Sequence, residues 1–504
     1  MTKHKGWRNA PIMLVLLAIM AFASAAQTLT TLTSFKGMDG SDPYTAPLVQ
    51  GTDGNFYGTT AYGGANCPTV GCGTVFKLTP RGVLTTLYSF CAQPSCTDGI
   101  YPFAGLIQAI DGNFYGTTAQ GGAYDEHGGT IFKITSAGKL TTLYSFCAQT
   151  NCKDGRDPTG GLFQGADGNF YGTTFSGGIG NAQYCTGGCG TIFKITPKGT
   201  LTILHSFAGY PTDGSGPNAG LTQASNGKLY GTATFGGVSS TCPLGCNGTV
   251  FEITPGGSLT TLHSFTASVG DGATPYDGLV LGNDGTLYGT TLNGGASGSG
   301  TIFKITSGGV LTKIYSFCSQ PECPDGLQPK AGLTLATDGN LYGTTSGPTV
   351  FGVGTVFKIT SAGTLTTLHT FCSKGYPACP DGSFPYAGLL QATNGKFYGS
   401  TSAGGDSNCG FGYGCGSIFG VSLGLAPFVE TVPAAGKVGS KVAILGTNLT
   451  GATGVTFNAK SAQFSVRLPS LILTNVPAGT TSGYITVTTP KGTLKSNAKF
   501  HVIP

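Results

Sequence analysis

Short apolar runs broken by Gly, Asp and Asn recur along most of the chain. One stretch reads Pro102-Phe103-Ala104-Gly105-Leu106-Ile107-Gln108-Ala109, breaks at Asp111-Gly112-Asn113, and resumes as Phe114-Tyr115-Gly116-Thr117-Thr118. A glycine-rich loop leads to Gly129-Thr130-Ile131-Phe132-Lys133-Ile134-Thr135, a turn at Ser136-Ala137-Gly138, and Leu140-Thr141-Thr142-Leu143-Tyr144-Ser145-Phe146. Asp-Gly between apolar runs marks a tight hairpin, because glycine reaches positive φ without steric cost. The unit therefore predicts four short antiparallel strands. Tyr-Gly-Thr-Thr, or a close variant, begins at Tyr57, Tyr115, Tyr171, Tyr230, Tyr288, Tyr342 and Tyr398, at intervals of 54 to 59 residues. A period this regular means one supersecondary unit stacked seven times.

Radial packing satisfies seven twisted four-stranded sheets best, since it leaves only short protected edges. The expected fold is all-β: a seven-bladed β-propeller over residues 27–424. The chain ends support closure. Leu29-Thr30-Thr31-Leu32-Thr33-Ser34-Phe35 copies the fourth strand and stands alone before the first complete unit, whereas Gly416-Ser417-Ile418-Phe419-Gly420-Val421-Ser422 is a third strand with no fourth after it. The N-terminal strand is therefore expected to form the outer edge of the last blade, covering a sheet edge that would otherwise invite aggregation. An open β-solenoid is the alternative, and it needs no such complementarity.

In a closed ring the loops alternate between two faces. The Asp-Gly and Asn-Gly hairpins fall on one, and the blade connectors and the loops after Tyr-Gly-Thr-Thr fall on the other. All cysteines belong to the second face, which carries the longest and most varied loops. Binding sites commonly sit on such loops above a rigid scaffold.

From Pro427 the pattern changes to short alternating strands: Val442-Ala443-Ile444-Leu445, Val455-Thr456-Phe457 and Gly483-Tyr484-Ile485-Thr486-Val487-Thr488. This predicts a small immunoglobulin-like β-sandwich over residues 425–504. Gly436-Lys437-Val438-Gly439 and Val476-Pro477-Ala478-Gly479 complete a resemblance to IPT/TIG domains, although Gln463 to Leu473 is short for that family and implies a missing or irregular strand.

All sixteen cysteines fall into eight local pairs: Cys67 with Cys72, Cys91 with Cys96, Cys147 with Cys152, Cys185 with Cys189, Cys242 with Cys246, Cys318 with Cys323, Cys372 with Cys379, and Cys409 with Cys415. Repeat loops that lack one cysteine lack both, as pairwise bonding predicts. Zinc bound by neighbouring pairs is the competing reading. Disulfides are favoured because the N-terminus looks like a secretory signal over residues 1–26: Lys3, Lys5 and Arg8, an apolar run from Ile12 to Phe22, then Ala23-Ser24-Ala25-Ala26. Its cleavage leaves no span long enough to cross a bilayer. Losing those three cations lowers the formal charge from +5 to +2 and removes the electrostatic basis for nucleic-acid binding. The one tryptophan, Trp7, leaves with the signal, so stacking on a ligand falls to Tyr and Phe. The expected product is a monomer exported to the medium or cell surface.

Seven connectors contain Asp-Gly-x-x-Pro and place Asp39, Asp98, Asp154, Asp213, Asp271, Asp325 and Asp381 in a ring on the cysteine-bearing face. As Asx turns they would accept nearby backbone N–H groups. As ligands they would suit calcium or sugar hydroxyls. Catalysis needs an asymmetric set, and Asp125-Glu126-His127 is the densest departure from the repeat. It reads either as a solvated loop tip or as metal ligands or an acid and base. His205, His263 and His369 take the place of Tyr88, Tyr144 and Tyr315 and read as peripheral packing residues. No nucleophile elbow, zinc-protease helix or phosphate loop occurs, and no cofactor is expected.

Asp-Gly-Asn-Phe-Tyr-Gly-Thr-Thr followed by Gly-Thr-Ile-Phe-Lys-Ile-Thr resembles the GloVer tandem repeat of bacterial surface proteins, often grouped as choice-of-anchor proteins, over about residues 29–422. The resemblance implies export and surface display and brings no activity. No hydrophobic anchor follows the C-terminal module, which argues against membrane attachment there. The expected function is binding of an extracellular glycan or protein through the stapled loop face. The alternatives are a polysaccharide lyase or hydrolase and a structural or adhesive spacer.

Overall fold

A computed structural model describes residues 28–503, apart from 68–70, 181–184, 186, 238–246, 268–269, 350–351, 374–378, 407 and 410–412. The expected leader, and the pair Cys242 and Cys246, lie outside the described residues. The chain is all-β, and its only helical elements among the described residues are single 3-10 turns at Pro94–Cys96 and Thr150–Cys152.

Each repeat folds as a four-stranded antiparallel sheet, giving seven in a row. In the first, Val49–Gln50 pairs with Phe56–Thr60, which pairs with Thr74–Leu78, which pairs with Leu84–Ser89. Burial follows strand position. Phe56–Thr60 is buried at every residue, Thr74–Leu78 at four of five, and Leu84–Ser89 is only half-buried. A strand covered on both faces reads as a continuous run of apolar and small residues, whereas an outer strand alternates. The innermost strand pairs over only two residues, shorter than the apolar run upstream of it implies, because residues such as Gly105 and Leu106 line a central cavity instead.

Glycine in Tyr-Gly-Thr-Thr is a packing requirement. A Cβ on Gly58 would lie 2.6 Å from Phe76 and 3.0 Å from Leu48, and Gly116 is hemmed in equally by Phe132 and Leu106. The aromatic beside it joins neighbouring sheets: Tyr57 stacks on Phe114 at 4.0 Å and Tyr115 on Phe170 at 4.2 Å. The phenol of Tyr57 donates to Asp53 in its own hairpin at 2.9 Å, so its polar end is satisfied while the ring is buried.

The last sheet meets the first through these same contacts. Thr28–Ser34 pairs antiparallel with Ser417–Ser422, matching Leu29 to Val421 and Thr31 to Phe419, as the unmatched chain ends predict. Phe35 then packs on Phe76 at 5.3 Å, as Phe90 packs on Phe132 at 5.2 Å. Thr393 N–H donates to Gln50 Oε1 at 2.9 Å, the counterpart of Thr52 N–H to Gln108 Oε1 at 2.8 Å. Phe56 lies 4.3 Å from Tyr398, completing the aromatic series. The apolar core is thus distributed between adjacent sheets, the junction of last and first included.

Residues 428–503 form two further four-stranded sheets around one core that includes Val429, Ile444, Phe457, Ile472, Ile485 and Phe500. The segment expected to be short contains Phe464–Leu468 paired with Leu471–Asn475, with a register shift between Val466 and Leu468. This module sits on the hairpin-turn side. Ser470 Oγ donates to Thr52 O at 2.8 Å and Phe428 N–H to Thr393 O at 3.0 Å, so it touches the first and last sheets and leaves the cysteine-bearing side clear.

Candidate functional site

The seven connector aspartates lie at the outer end of their connectors, and each accepts at least one hydrogen bond there, although Asp325 Oδ1 is buried without a partner. Asp98 Oδ2 accepts from the Tyr88 hydroxyl at 2.8 Å and Ala92 N–H at 2.9 Å, with Gln93 N–H on Oδ1 at 3.2 Å. Asp154 repeats the arrangement with Tyr144, Ala148 and Gln149. Asp325 accepts from Tyr315 and from Cys318 N–H. In the other repeats histidine supplies the contact: His205 to Asp213 at 2.8 Å, His263 to Asp271 at 3.2 Å, His369 to Asp381 at 2.9 Å. Reading these histidines as packing alone therefore needs correction, since each ring contacts the connector carboxylate in the place of a tyrosine hydroxyl. Burial alone would raise Asp271, but hydrogen bonds from His263 and the backbone outweigh it and hold the carboxyl below its usual range. Asp39 is the exception: the outer-strand residue there is Thr33, and the carboxylate accepts only Lys36 N–H, at 2.7 Å. Among the described residues, none of the seven carboxylates falls in a group of side chains close enough to share a metal ion.

Glu126 and His127 are exposed at a loop tip, and Asp125 beside them is half-buried near the Cys147–Cys152 disulfide. Asp125 accepts His127 N–H at 2.8 Å in a local turn, and Glu126 is 87% exposed. The remaining fourteen cysteines form the seven local disulfides expected of them, so they do not offer zinc thiolates.

The connectors place a different set of residues at their inner ends. Three residues after each aspartate the backbone turns left-handed, at φ 55° in Asp42, 59° in Tyr101 and 57° in Gln328. A proline follows, and then one side chain per repeat beside the central cavity: Tyr44, Phe103, Thr159, Asn218, Tyr276, Lys330 and Tyr386, of which Thr159, Asn218 and Tyr276 line its wall. All seven repeats contribute to the cavity wall, and its volume is about 320 Å³.

One side of this mouth is aromatic. Tyr62 lies 5.3 Å from Tyr101 and 6.4 Å from Phe103, Phe103 lies 5.4 Å from Tyr44, and Tyr44 lies 5.3 Å from Tyr386. The Lys330 ammonium is enclosed by this crescent, 4.1 Å from the ring centroid of Tyr44, 4.2 Å from Tyr386 and 4.9 Å from Tyr276. It donates to the Tyr44 hydroxyl and makes no ion pair with a described carboxylate. Burial pulls its pKa down to about 8, and Asp42 opposes that only through space. Asp42 is itself pushed up to about 6 by burial, while Ser402 donates to it. Asp277 stands where most repeats have Ala or Gly and ties its own connector to the next by accepting Gly278 N–H and Gly332 N–H. Across the cavity the wall is polar: Asn218 donates to Tyr276 O at 3.3 Å, and the buried Thr159 hydroxyl has no partner.

These mouth residues were missed from sequence, although a signal existed. Aligned on Asp-Gly-x-x-Pro, the position after proline is the one whose chemistry changes from repeat to repeat.

Fold and site define an all-β tandem-repeat protein with propeller-like sheets around an asymmetric central mouth. The profile of the Gloeobacter/Verrucomicrobia repeat matches residues 18–241 and 181–413, most of the chain, and the protein belongs to that family. No curated protein matches the sequence. Among solved structures, the chain is similar to the extracellular domain of a putative hybrid two-component system from B. thetaiotaomicron at 12% identity and a TM-score of 0.45, covering 78% of this chain and 39% of that one. It is also similar to a putative 6-phosphogluconolactonase from Bacteroides uniformis at 18% identity and a TM-score of 0.41, covering 64% of this chain and 83% of that one. Likeness at this level carries no argument about activity. No helix among the described residues is long and apolar enough to cross a membrane.

Proposed function

We propose that this is an exported, extracellular or surface-displayed binding protein: a closed seven-bladed β-propeller with an immunoglobulin-like module of IPT/TIG type at residues 425–504. Its ligand is an extracellular glycan or protein, held at the central mouth of the disulfide-stapled face. The observation that carries this is the contrast within each connector, where a repeated aspartate that holds the turn is followed by a mouth residue that differs between repeats. Aromatic rings offer large rigid contact area, and a few polar groups orient what lies on them. The disulfides fit an oxidising compartment, and the contacts joining first and last sheets support the closed ring.

Glycan and protein arrays probed with the mature chain test the proposal. Binding that falls at least tenfold in Tyr44→Ala/Tyr386→Ala supports it, while absence of binding to both classes by a folded chain overturns it. An enzyme acting on polysaccharide is the second reading, favoured by Lys330 and Asp42, whose proton affinities are displaced toward each other within one mouth. Turnover abolished by either Lys330→Met or Asp42→Asn would decide for it.

A further inference from the structure

The mouth residues point to the chemistry of the ligand. Lys330 is a half-buried cation whose direct contacts within the chain are three ring faces and one tyrosine hydroxyl, with Asp42 acting on it only through space. Ring faces attract an ammonium through their quadrupole, but they do not replace the charge-assisted hydrogen bonds that a buried cation otherwise makes. An ammonium has three N–H donors, and Tyr44 takes one.

The carboxylates nearby do not complete it. Asp42 is held by Ser402 from a distant part of the chain and acts on Lys330 only through space. Asp277 is committed to the backbone N–H groups of Gly278 and Gly332. On the cavity wall, three repeats away in the chain, stands Thr159, whose hydroxyl has no partner. A half-buried cation without an ion pair and a hydroxyl without a partner beside one concave mouth are both costs to the free protein, and a ligand with the right groups would remove both.

Resting on the glycan branch of the binding proposal, we infer that the mouth takes an acidic sugar: a pyranose whose carboxylate pairs with Lys330, whose apolar face lies on the tyrosine crescent, and whose hydroxyls meet Thr159 and Asn218. A neutral sugar would leave the cation unanswered. A purely aromatic ligand would leave the polar wall dry.

An array of uronate oligosaccharides in several linkages, each beside its methyl ester, tests this with the full mature chain. The ester keeps ring and hydroxyls and removes only the charge. The expected result is about a ten- to hundredfold preference for the acid, weakened by salt and lost in Lys330→Met, while Thr159→Val lowers acid and ester alike. Equal binding of acid and ester overturns the inference and leaves glycan binding standing. An acid preference that survives Lys330→Met overturns the assignment of the cation. If a folded chain with intact disulfides binds no sugar in either form, the glycan branch of the proposed function falls, and this inference falls with it.

Discussion

The two ends of each connector obey opposite rules. At the outer end one carboxylate recurs seven times, and in six repeats a Tyr or His from the outer strand reaches it; at the inner end the residues differ from repeat to repeat, and the Thr159 hydroxyl is left without a partner. Repetition there marks architecture, because every copy solves the same local problem of turning the chain toward the next sheet. Variation over a repeated scaffold marks the place where chemistry is still unspent.

The scaffold should be broken most severely at its junction. Removing Thr28–Ser34 uncovers the long edge of Ser417–Ser422 and the packing of Phe35 on Phe76. We expect loss of cooperative thermal unfolding and self-association on size exclusion; a monomeric, cooperatively melting truncation would refute the closing role of that strand. Next comes Asp98→Ala, which strands a tyrosine hydroxyl and two backbone N–H groups. It should cost about 2–4 kcal/mol in denaturant unfolding. Asp39→Ala, which loses a single exposed contact, should cost under about 1 kcal/mol. Equal costs would erase the distinction drawn between these two connectors.

At the mouth the sign should reverse. Lys330→Met removes an ammonium that the folded chain buries without an ion pair, so we expect stabilisation of about 1 kcal/mol at neutral pH together with loss of binding. The gain should depend on pH. The folded pKa near 8 lies below the ordinary 10.5, so between those values the unfolded wild-type chain binds more protons and wild-type stability rises with pH. Melting temperatures of wild type and variant should converge over that interval. A constant gap would mean the effect is packing alone. Asp42 works in the opposite direction: its folded pKa near 6 exceeds the ordinary 3.8, so wild-type stability falls as pH rises through that window, and Asp42→Asn should abolish the fall. The smallest effect belongs to Glu126→Ala at the exposed loop tip, expected within about 0.5 kcal/mol and silent in binding.

Much of the scaffold was readable before any coordinates. The complementarity of Leu29–Phe35 and Gly416–Ser422 anticipated their pairing, and local cysteine spacing anticipated the disulfides, because both are encoded over short or repeated stretches. The Asx-turn possibility for the connector aspartates was readable too, but their bonds to Tyr88 or His205 were not, since those require the register of a neighbouring strand. Asp125, Glu126 and His127 attracted attention by being adjacent in sequence, and adjacency of that kind gives only a local turn.

By itself the sequence determined what depends on period and alternation: strand type, repeat number, hairpin chemistry and cysteine pairing. Tertiary structure alone decided which side chains share a site. Tyr44, Tyr276, Lys330 and Tyr386 come from four repeats, spread over more than three hundred residues, and no local pattern links them. They meet because successive sheets bring the inner ends of their connectors to one cavity, where residues remote in the chain become neighbours and a cation can lie against three rings.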